Sequence, residues 1–378
     1  MRIQKLNIQN FRNLASVELS GLAEFNFFHG LNGSGKTSVL EAIHTLALTR
    51  SFRSRKMKTV IAFGENSLIV RGEFSPQQRL NHASTIGIKR SLQDAVLVKL
   101  NGEKLSSVGE LAGVLPVQVI NPASFELLEG GPGVRRQFLD WGVFHVKHSG
   151  FHEHWPRYRK ALQQRNSLLR RGNIDTLSLQ AWDVELAASA EVITSARVRH
   201  FSVLAKAFDD VYRELLDHPA LTKEPGAPAD ALSFSFDVGW KSGDNNMGFA
   251  EVLKTEAQQD LRSGYTRYGP HRADINIYCG KFPAGDVLSR GQIKTVVCAL
   301  KLAQSKVLAE QSIETVFLID DLAAELDPAR CESVFAALVA LNAQVFATSV
   351  QRGDLDLAWC MGRDIKRFHV EHGCIAEL

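Results

Sequence analysis

The sequence predicts an α/β protein: a head of mixed β-sheet with a parallel-sheet lobe, built from both ends of the chain and interrupted by an inserted α-helical arm domain. Three observations carry this. A short apolar run at Phe25, Phe27 and Phe28 leads into a glycine-rich stretch and then into helical spacing from Lys36, giving strand, loop and helix near the start. Residues 315–319, 328–341 and 344–348 alternate strand, helix and strand near the end, the pattern of a parallel sheet. From about residue 123 to 215 the chain is rich in Leu, Ala, Arg and Gln, with almost no helix breaker across 177–216. The expected division is a head from 1–121 and 267–378 and a helical arm from 122–266.

In order along the chain, Ile3/Leu6/Ile8, Val17/Leu19 and the Phe25 run read as three strands separated by turn residues. Val39, Leu40, Ile43, Leu46 and Leu48 then lie on one face of a helix. Further strands are expected at 68–70, 85–88, 96–100 and 117–120, so the head begins as mixed or antiparallel sheet. A Pro/Ala/Gly-rich connector at 218–232 ends the long helical stretch, with a strand at 234–236 and a helix near 249–261 after it. A strand at 275–278 and a helix at 292–308 return the chain to the head.

The hydrophobic content of 45% with 22% charged residues is that of a soluble globular protein. A net charge of +3 permits an anionic partner without demanding one. No apolar run reaches the roughly 18 residues a membrane helix needs, and Met1-Arg2-Ile3-Gln4 begins as a strand rather than a signal peptide, so a cytoplasmic protein with no membrane partner is expected. The cysteines Cys279, Cys298, Cys331, Cys360 and Cys374 lack C-x-x-C spacing and read as reduced, buried small residues.

The chemistry is concentrated in three places. In Gly30, Leu31, Asn32, Gly33, Ser34, Gly35, Lys36 and Thr37, the glycines let successive backbone N–H groups point at the β- and γ-phosphates of ATP. Lys36 adds a positive charge there, the Thr37 hydroxyl is placed to hold Mg²⁺, and the following helix contributes its positive end. Asp320 and Asp321 end an apolar strand, where α/β sheets bind ligands. Asp320 suits Mg²⁺ through water, and Asp321 suits orienting or deprotonating the attacking water. Roughly 280 residues separate these two parts, so the site must be assembled from both chain ends. The third place, Ser289-Arg290-Gly291-Gln292 at a helix start, reads either as an anion site or as a helix capped by Ser289.

The order of these motifs resembles the ABC-type ATPases, with Ser289-Arg290-Gly291-Gln292 as the signature and Leu326-Asp327 as the D-loop. Local matches narrow the resemblance to the RecF family of bacterial recombination mediators: Arg12-Asn13, Thr49-Arg50-Ser51-Phe52-Arg53, Gly130-Gly131-Pro132 with Arg135-Arg136-Gln137-Phe138-Leu139-Asp140-Trp141, and Gly269-Pro270-His271-Arg272-Ala273-Asp274. The resemblance spans nearly the whole chain. It implies an ABC-type P-loop ATPase head that forms an ATP-dependent homodimer. Each nucleotide would lie between the P-loop of one copy and Ser289, Gly291 and Gln292 of the other, with Asp327 near the two-fold axis. It further implies slow, DNA-dependent ATP hydrolysis that resets a clamp on double-stranded DNA and on junctions of single and double strand. RecO and RecR would be partners in loading RecA where SSB coats the strand, in repair, replication-fork maintenance and SOS induction. Ala324 stands where family members carry Ser, and Thr348 where transporters carry a switch His. The Q-loop residue is either Asn121 or Gln118.

Two basic clusters are candidates for DNA phosphates: Arg50, Arg53, Arg55, Lys56 and Lys58, and on the arm Arg157, Arg159, Lys160, Arg165, Arg170 and Arg171. Neither has interleaved aromatics, which favours duplex backbone binding over base stacking. Arg135 and Arg136 read as structural partners of Asp140 across a helical turn. His145, His148, His152 and His154 read as a His-rich turn rather than a metal site. The competing functions are another SMC-like or ABC-type chromosome-associated ATPase and a P-loop small-molecule kinase.

Overall fold

The computed structural model describes residues 2–378 except 55, 76–83, 94–95, 106–108, 110, 112, 147–149, 172–175, 220, 222–231, 241–246 and 356–361. Arg55, His148 and Cys360 lie outside the described residues. The chain forms two compact units, the first of Met1–Ser124, Asp210–Glu224 and Lys294–Leu378, the second of Phe125–Asp209 and Pro225–Ile293.

The first unit holds two six-stranded sheets. In one, β1 (Ile3–Phe11) and β2 (Leu14–Ser20) join β4 (Ser67–Phe74), β5 (Ser84–Ser91), β6 (Val96–Leu100) and β7 (Glu103–Lys104) in the order β2-β1-β4-β5-β6-β7, every pairing antiparallel. Its strands alternate buried and open positions, as a sheet covered on one face requires. The other sheet is β15-β14-β3-β13-β12-β8, from β3 (Phe25–His29), β8 (Val117–Ile120), β12 (Val316–Ile319), β13 (Gln344–Ser349), β14 (Ile365–Glu371) and β15 (Cys374–Glu377). All of its pairings are parallel except β14 with β15. Every residue of β12 and β13 is buried, the pattern of strands covered on both faces.

Helix α1 (Lys36–Leu48) supplies Val39, Leu40, Ile43 and Leu46 to the core shared by the two sheets. Gln344 ties them together: its amide donates to the carbonyls of Ile3 at 2.8 Å and Ala23 at 3.1 Å and accepts from the Ile3 N–H at 2.7 Å. A buried amide with its bonds filled fixes register without the cost of an orphaned polar group.

The hairpin of β14 and β15 is absent from the sequence expectations. Its signals are present in the alternation of Phe368 and Val370, both buried, and in His372 and Gly373, which turn the chain at positive φ. The cysteine expectation holds for Cys298 and Cys331, which are buried, but Cys374 on β15 is exposed. Among the described residues no helix is long and apolar enough to cross a membrane.

The second unit contains α2 (Pro132–His145), α3 (Phe151–Arg171), most of α4 (Thr176–Leu216) and a small antiparallel sheet, β11-β10-β9, from β9 (Leu232–Asp237), β10 (Asp274–Cys279) and β11 (Phe282–Pro283). The helix expected near 249–261 is two short ones, Phe249–Thr255 and Ala257–Ser263. Two arginines hold this unit from inside. Arg165 is fully buried and donates to Asp183 at 2.6 Å, Asp260 at 2.6 Å and Thr266 at 2.8 Å. Arg197 bonds both carboxylate oxygens of Asp140, at 2.7 and 2.9 Å, and the Pro270 carbonyl at 2.6 Å.

Two expectations are corrected here. Arg165 is an internal cation rather than part of a basic surface, because carboxylates distant in sequence enclose it. Arg135 pairs with Asp274 at 2.7 and 2.9 Å, and Arg136 donates to the Ala273 carbonyl at 2.8 Å; Asp140 belongs to Arg197. Arg157 is also occupied, by Glu185 at 2.7 Å.

Two imidazoles in this unit are kept neutral. Burial, with His152 nearby, lowers the pKa of His145 to about 3. Burial is also the main cause at His271, where the pKa falls to about 4 despite the Thr266 carbonyl opposing it. Both values lie below the ordinary 6.5, so their contribution to stability is complete above pH 6.5 and is lost as pH falls toward 4 for His271 and toward 3 for His145. Urea unfolding between pH 7 and 4.5 is expected to lose up to about 1.4 kcal/mol per pH unit for each histidine. His271→Gln should flatten that slope.

Candidate nucleotide site

The glycine-rich loop runs from the end of β3 to the first turn of α1. At Gly30 the backbone has φ 153°, and a Cβ would stand 2.2 Å from the Val370 carbonyl oxygen, so only glycine lets the loop lie against β14. Gly35 occupies the cap position of α1 at φ 121° and supplies no side-chain cap, leaving the first N–H groups of the helix available to an anion. Asn13, from the turn between β1 and β2, braces the loop: its amide donates to the carbonyls of Gly33 at 3.2 Å and Ser34 at 3.0 Å, and its oxygen accepts from Ser38 at 2.9 Å.

Lys36 folds back over this loop, donating from Nζ to the carbonyls of Gly30 at 2.6 Å and Leu31 at 3.0 Å. Burial lowers its pKa, and Asp321 and Asp320 partly offset that by attracting the cation. An ammonium held among carbonyls and stripped of water gains most when phosphate oxygens arrive.

The second half of the site comes from β12. Asp320 Oδ1 accepts from the Thr37 hydroxyl at 2.8 Å and from the Thr348 hydroxyl at 2.9 Å, and Thr348 in turn accepts from the Asp321 N–H at 3.0 Å. The parallel register that sets β13 beside β12 makes this three-way contact. Asp321 is held at φ 57°, a left-handed conformation that turns the chain directly after the strand. Thr37 and Asp320 thus place two oxygen donors together, a pairing that fits a magnesium ion.

These residues open into a cleft of about 920 Å³, large enough for a nucleotide, lined on one side by Gly33, Gly35, Lys36, Thr37, Asp320 and Asp321. The lining also includes Arg53, Lys58 and Phe63, whose ring is fully exposed. The loop carrying Arg53 is anchored by Glu41, which takes two bonds from Arg12 at 2.8 and 3.0 Å and one from the Ser51 hydroxyl. Ser51 in turn accepts from the Arg53 and Ser54 N–H groups at 2.9 and 2.8 Å.

Of the basic cluster that follows the helix, Arg53 and Lys58 line this cleft, whereas Arg50 and Lys56 are exposed and do not line it. Of the two Q-loop candidates, Gln118 is buried and bonds Gln304 at 2.9 Å, and Asn121 accepts from Ser124 at 2.9 and 3.0 Å. The bracing roles of Asn13, Glu41 and Thr348 carry no motif of their own; they are set by tertiary contact.

The Ser289 segment belongs to the second unit. It forms a reciprocal capping box at the start of α5 (Arg290–Ala309): the Ser289 hydroxyl accepts from the Gln292 N–H at 3.3 Å, and Gln292 Oε1 accepts from the Ser289 N–H at 2.9 Å. Ser289 is nevertheless exposed. Further along α5, Lys294 bonds Glu325, donating to its carboxylate at 2.7 Å and its carbonyl at 2.5 Å, next to the D-loop residues. Asp327 caps α6 (Pro328–Ala340), accepting from the Arg330 N–H at 2.9 Å and pairing with its guanidinium.

A glycine loop over an open helix N-terminus, with a lysine and a strand-end carboxylate assembled from distant parts of the chain, defines the P-loop site of an ABC-type ATPase head. The RecF/RecN/SMC N terminal domain family matches residues 2–375. The chain is 42% identical to the DNA replication and repair protein RecF of Chromohalobacter salexigens, covering 99% of each, and 40% identical to that of Stutzerimonas stutzeri, covering 100% of this chain and 98% of the relative. Among solved structures it resembles the recombination mediator protein RecF–ATP of the RecFOR pathway, with TM-score 0.84 at 25% identity over 100% of this chain and 97% of that one. An Smc head bound to the C-winged helix domain of ScpA matches at TM-score 0.58 and 15% identity, covering 100% and 98%, a likeness of fold alone. The chain belongs to the RecF family.

Proposed function

We propose that this chain is an ATP-gated, DNA-binding recombination mediator. Two copies close around ATP, each nucleotide held between the cleft of one copy and Ser289, Gly291 and Gln292 of the other. The observation that carries this is the uncapped N-terminus of α1 beneath the glycine loop, together with a second helix start at α5 that caps itself through Ser289 and Gln292 yet leaves Ser289 exposed to a second copy. A single nucleotide bridging two copies uses both, and a metabolite kinase has no need of the second.

In this reading Lys36 and the loop N–H groups bind the phosphates, Thr37 and Asp320 hold Mg²⁺, and Asp321 orients the attacking water. Mg²⁺ supplies charge neutralisation at the phosphate oxygens. Arg53 and Lys58 serve the nucleotide, while Arg50 and Lys56 remain for the DNA backbone. Residues 122–266 act as the arm that reaches duplex DNA and its junctions with single strand. Hydrolysis is slow and resets the clamp. The RecFOR pathway named for the solved relative supports RecO and RecR as partners in the cytoplasm, with RecA loading on SSB-coated strands as the outcome.

Asp321→Asn tests the assignment of the water-orienting group. Hydrolysis is expected to fall at least a hundredfold, within the range for losing a general base, with ATP affinity retained and ATP-dependent dimers living longer. Hydrolysis unchanged in this variant, measured by phosphate release, would remove Asp321 from the mechanism.

A further inference from the structure

A second cavity, of about 460 Å³, lies wholly within the second unit, lined by Asp237, Gly239, Trp240, Tyr265, Arg267, Tyr268 and Arg272. Its composition is unlike the basic clusters on the same unit, because it interleaves aromatic rings with guanidiniums. Arg267 lies over the Tyr268 ring at 5.3 Å and Arg272 over the Tyr265 ring at 5.7 Å. Tyr265 is 41% exposed, so its ring is accessible to a ligand. Trp240 is 95% buried, its ring packed 4.9 Å from that of Phe249, and its indole N–H finds no acceptor among the described residues.

The walls are held in place by backbone contacts. Gly239 accepts from the Gly269 N–H at 2.9 Å, and its N–H donates to Asp237 at 2.8 Å. At φ 88°, a Cβ on Gly239 would come within 2.4 Å of the Gly269 carbonyl oxygen, so the two segments meet only through glycine. Behind them the Tyr158 hydroxyl and His271 Nδ1 share a bond of 2.6 Å, and His271 Nε2 meets the Thr266 carbonyl at 3.1 Å. The Gly269 to Asp274 motif, which the ATP cleft leaves without a role, supplies Arg272 to the lining of this cavity.

Arg267 is paired with Glu256 at 3.2 Å, so Arg272 is the guanidinium left for a phosphate, and with the planar tyrosine rings for stacking it matches one ligand class. We infer that this cavity binds an unpaired nucleotide of single-stranded DNA, its base on the tyrosine rings and its phosphate toward Arg272. Inorganic phosphate leaves the rings unused, and an acidic peptide leaves them without a planar partner. The inference deepens the reading of the chain as a junction-binding mediator and rests on it: the site would select junctions over continuous duplex.

The test compares fluorescence anisotropy of blunt duplex and of the same duplex with a single-stranded oligo(dT) tail, with ATP, for the full chain and for Tyr265→Ala, Tyr265→Phe and the double variant Tyr265→Ala/Tyr268→Ala. The wild type should bind the tailed duplex about tenfold more tightly than the blunt one, as loss of base stacking predicts for its removal. The double variant should lose that preference with its blunt-duplex binding unchanged, and Tyr265→Phe, which keeps the ring, should retain it. A tail preference that survives in the double variant, or is absent from the wild type, overturns the inference. So does free thymidine monophosphate competing away the tailed duplex no better for the wild type than for the double variant. Blunt-duplex binding that does not depend on ATP would instead count against the parent reading, and the tail preference would still decide the cavity.

Discussion

Arg165→Ala is expected to destabilise the second unit by about 3–5 kcal/mol, the cost of leaving buried carboxylates without their cation. The guanidinium has no exposed surface and joins Asp183, Asp260 and Thr266, and Asp260 is itself 1% exposed. Burial already pushes the Asp183 carboxyl up, with Arg165 opposing that rise. Removing the cation leaves burial unopposed, so Asp183 should take up a proton at a higher pH. Urea unfolding followed by circular dichroism checks the size of the loss. The paired change Arg165→Met/Asp260→Leu should cost distinctly less, since it removes both charges together. A single variant as stable as the wild type would show that the buried pair contributes nothing.

Lys36→Met should abolish measurable nucleotide binding, a loss of at least a hundredfold, while leaving the fold intact. The ammonium is buried and makes two carbonyl contacts in the loop. Charged hydrogen bonds to phosphate are each worth about 1.5–3 kcal/mol, and Lys36 would make more than one. Because its pKa is lowered by burial, the charge is a liability to the free protein below that pKa and is relieved as pH rises toward the ordinary 10.5. The variant should therefore melt no lower than the wild type without ATP and show no upward shift when ATP and Mg²⁺ are added. Differential scanning fluorimetry reads both. An undiminished ATP-induced shift would exclude Lys36 from the site.

Much of this site is legible in the sequence for a physical reason. A phosphate-binding loop is specified by backbone conformation, and glycine positions encode backbone conformation directly. Asp320 and Asp321 are legible because a four-residue apolar strand ends on them, and Ser289 is legible as a helix cap, while the reciprocal bond from Gln292 is seen only in the structure. What escapes is set by tertiary partners. Asn13 reaches carbonyls about twenty positions away, and Thr348 meets Asp320 only because β12 and β13 are parallel neighbours.

Arginines illustrate the limit from the other side. Arg165 and its neighbours read as a solvated basic face until Asp260, 95 residues later, is seen to enclose one of them. Arg135 chooses Asp274, 139 residues away, over Asp140 in the next turn of its own helix. Arg53 and Lys58 read as DNA contacts by charge alone, and charge gives no sign that they also line the cleft.

The central claim is that one chain carries only half of each composite ATP site. Sedimentation velocity of the wild type and of Ser289→Arg, with and without ATP and Mg²⁺, tests it most directly. The account predicts that ATP converts the wild type from a slower to a faster species of twice the mass, and that Ser289→Arg binds ATP with wild-type affinity yet sediments unchanged. ATP-dependent dimers of Ser289→Arg formed as readily as those of the wild type would contradict it.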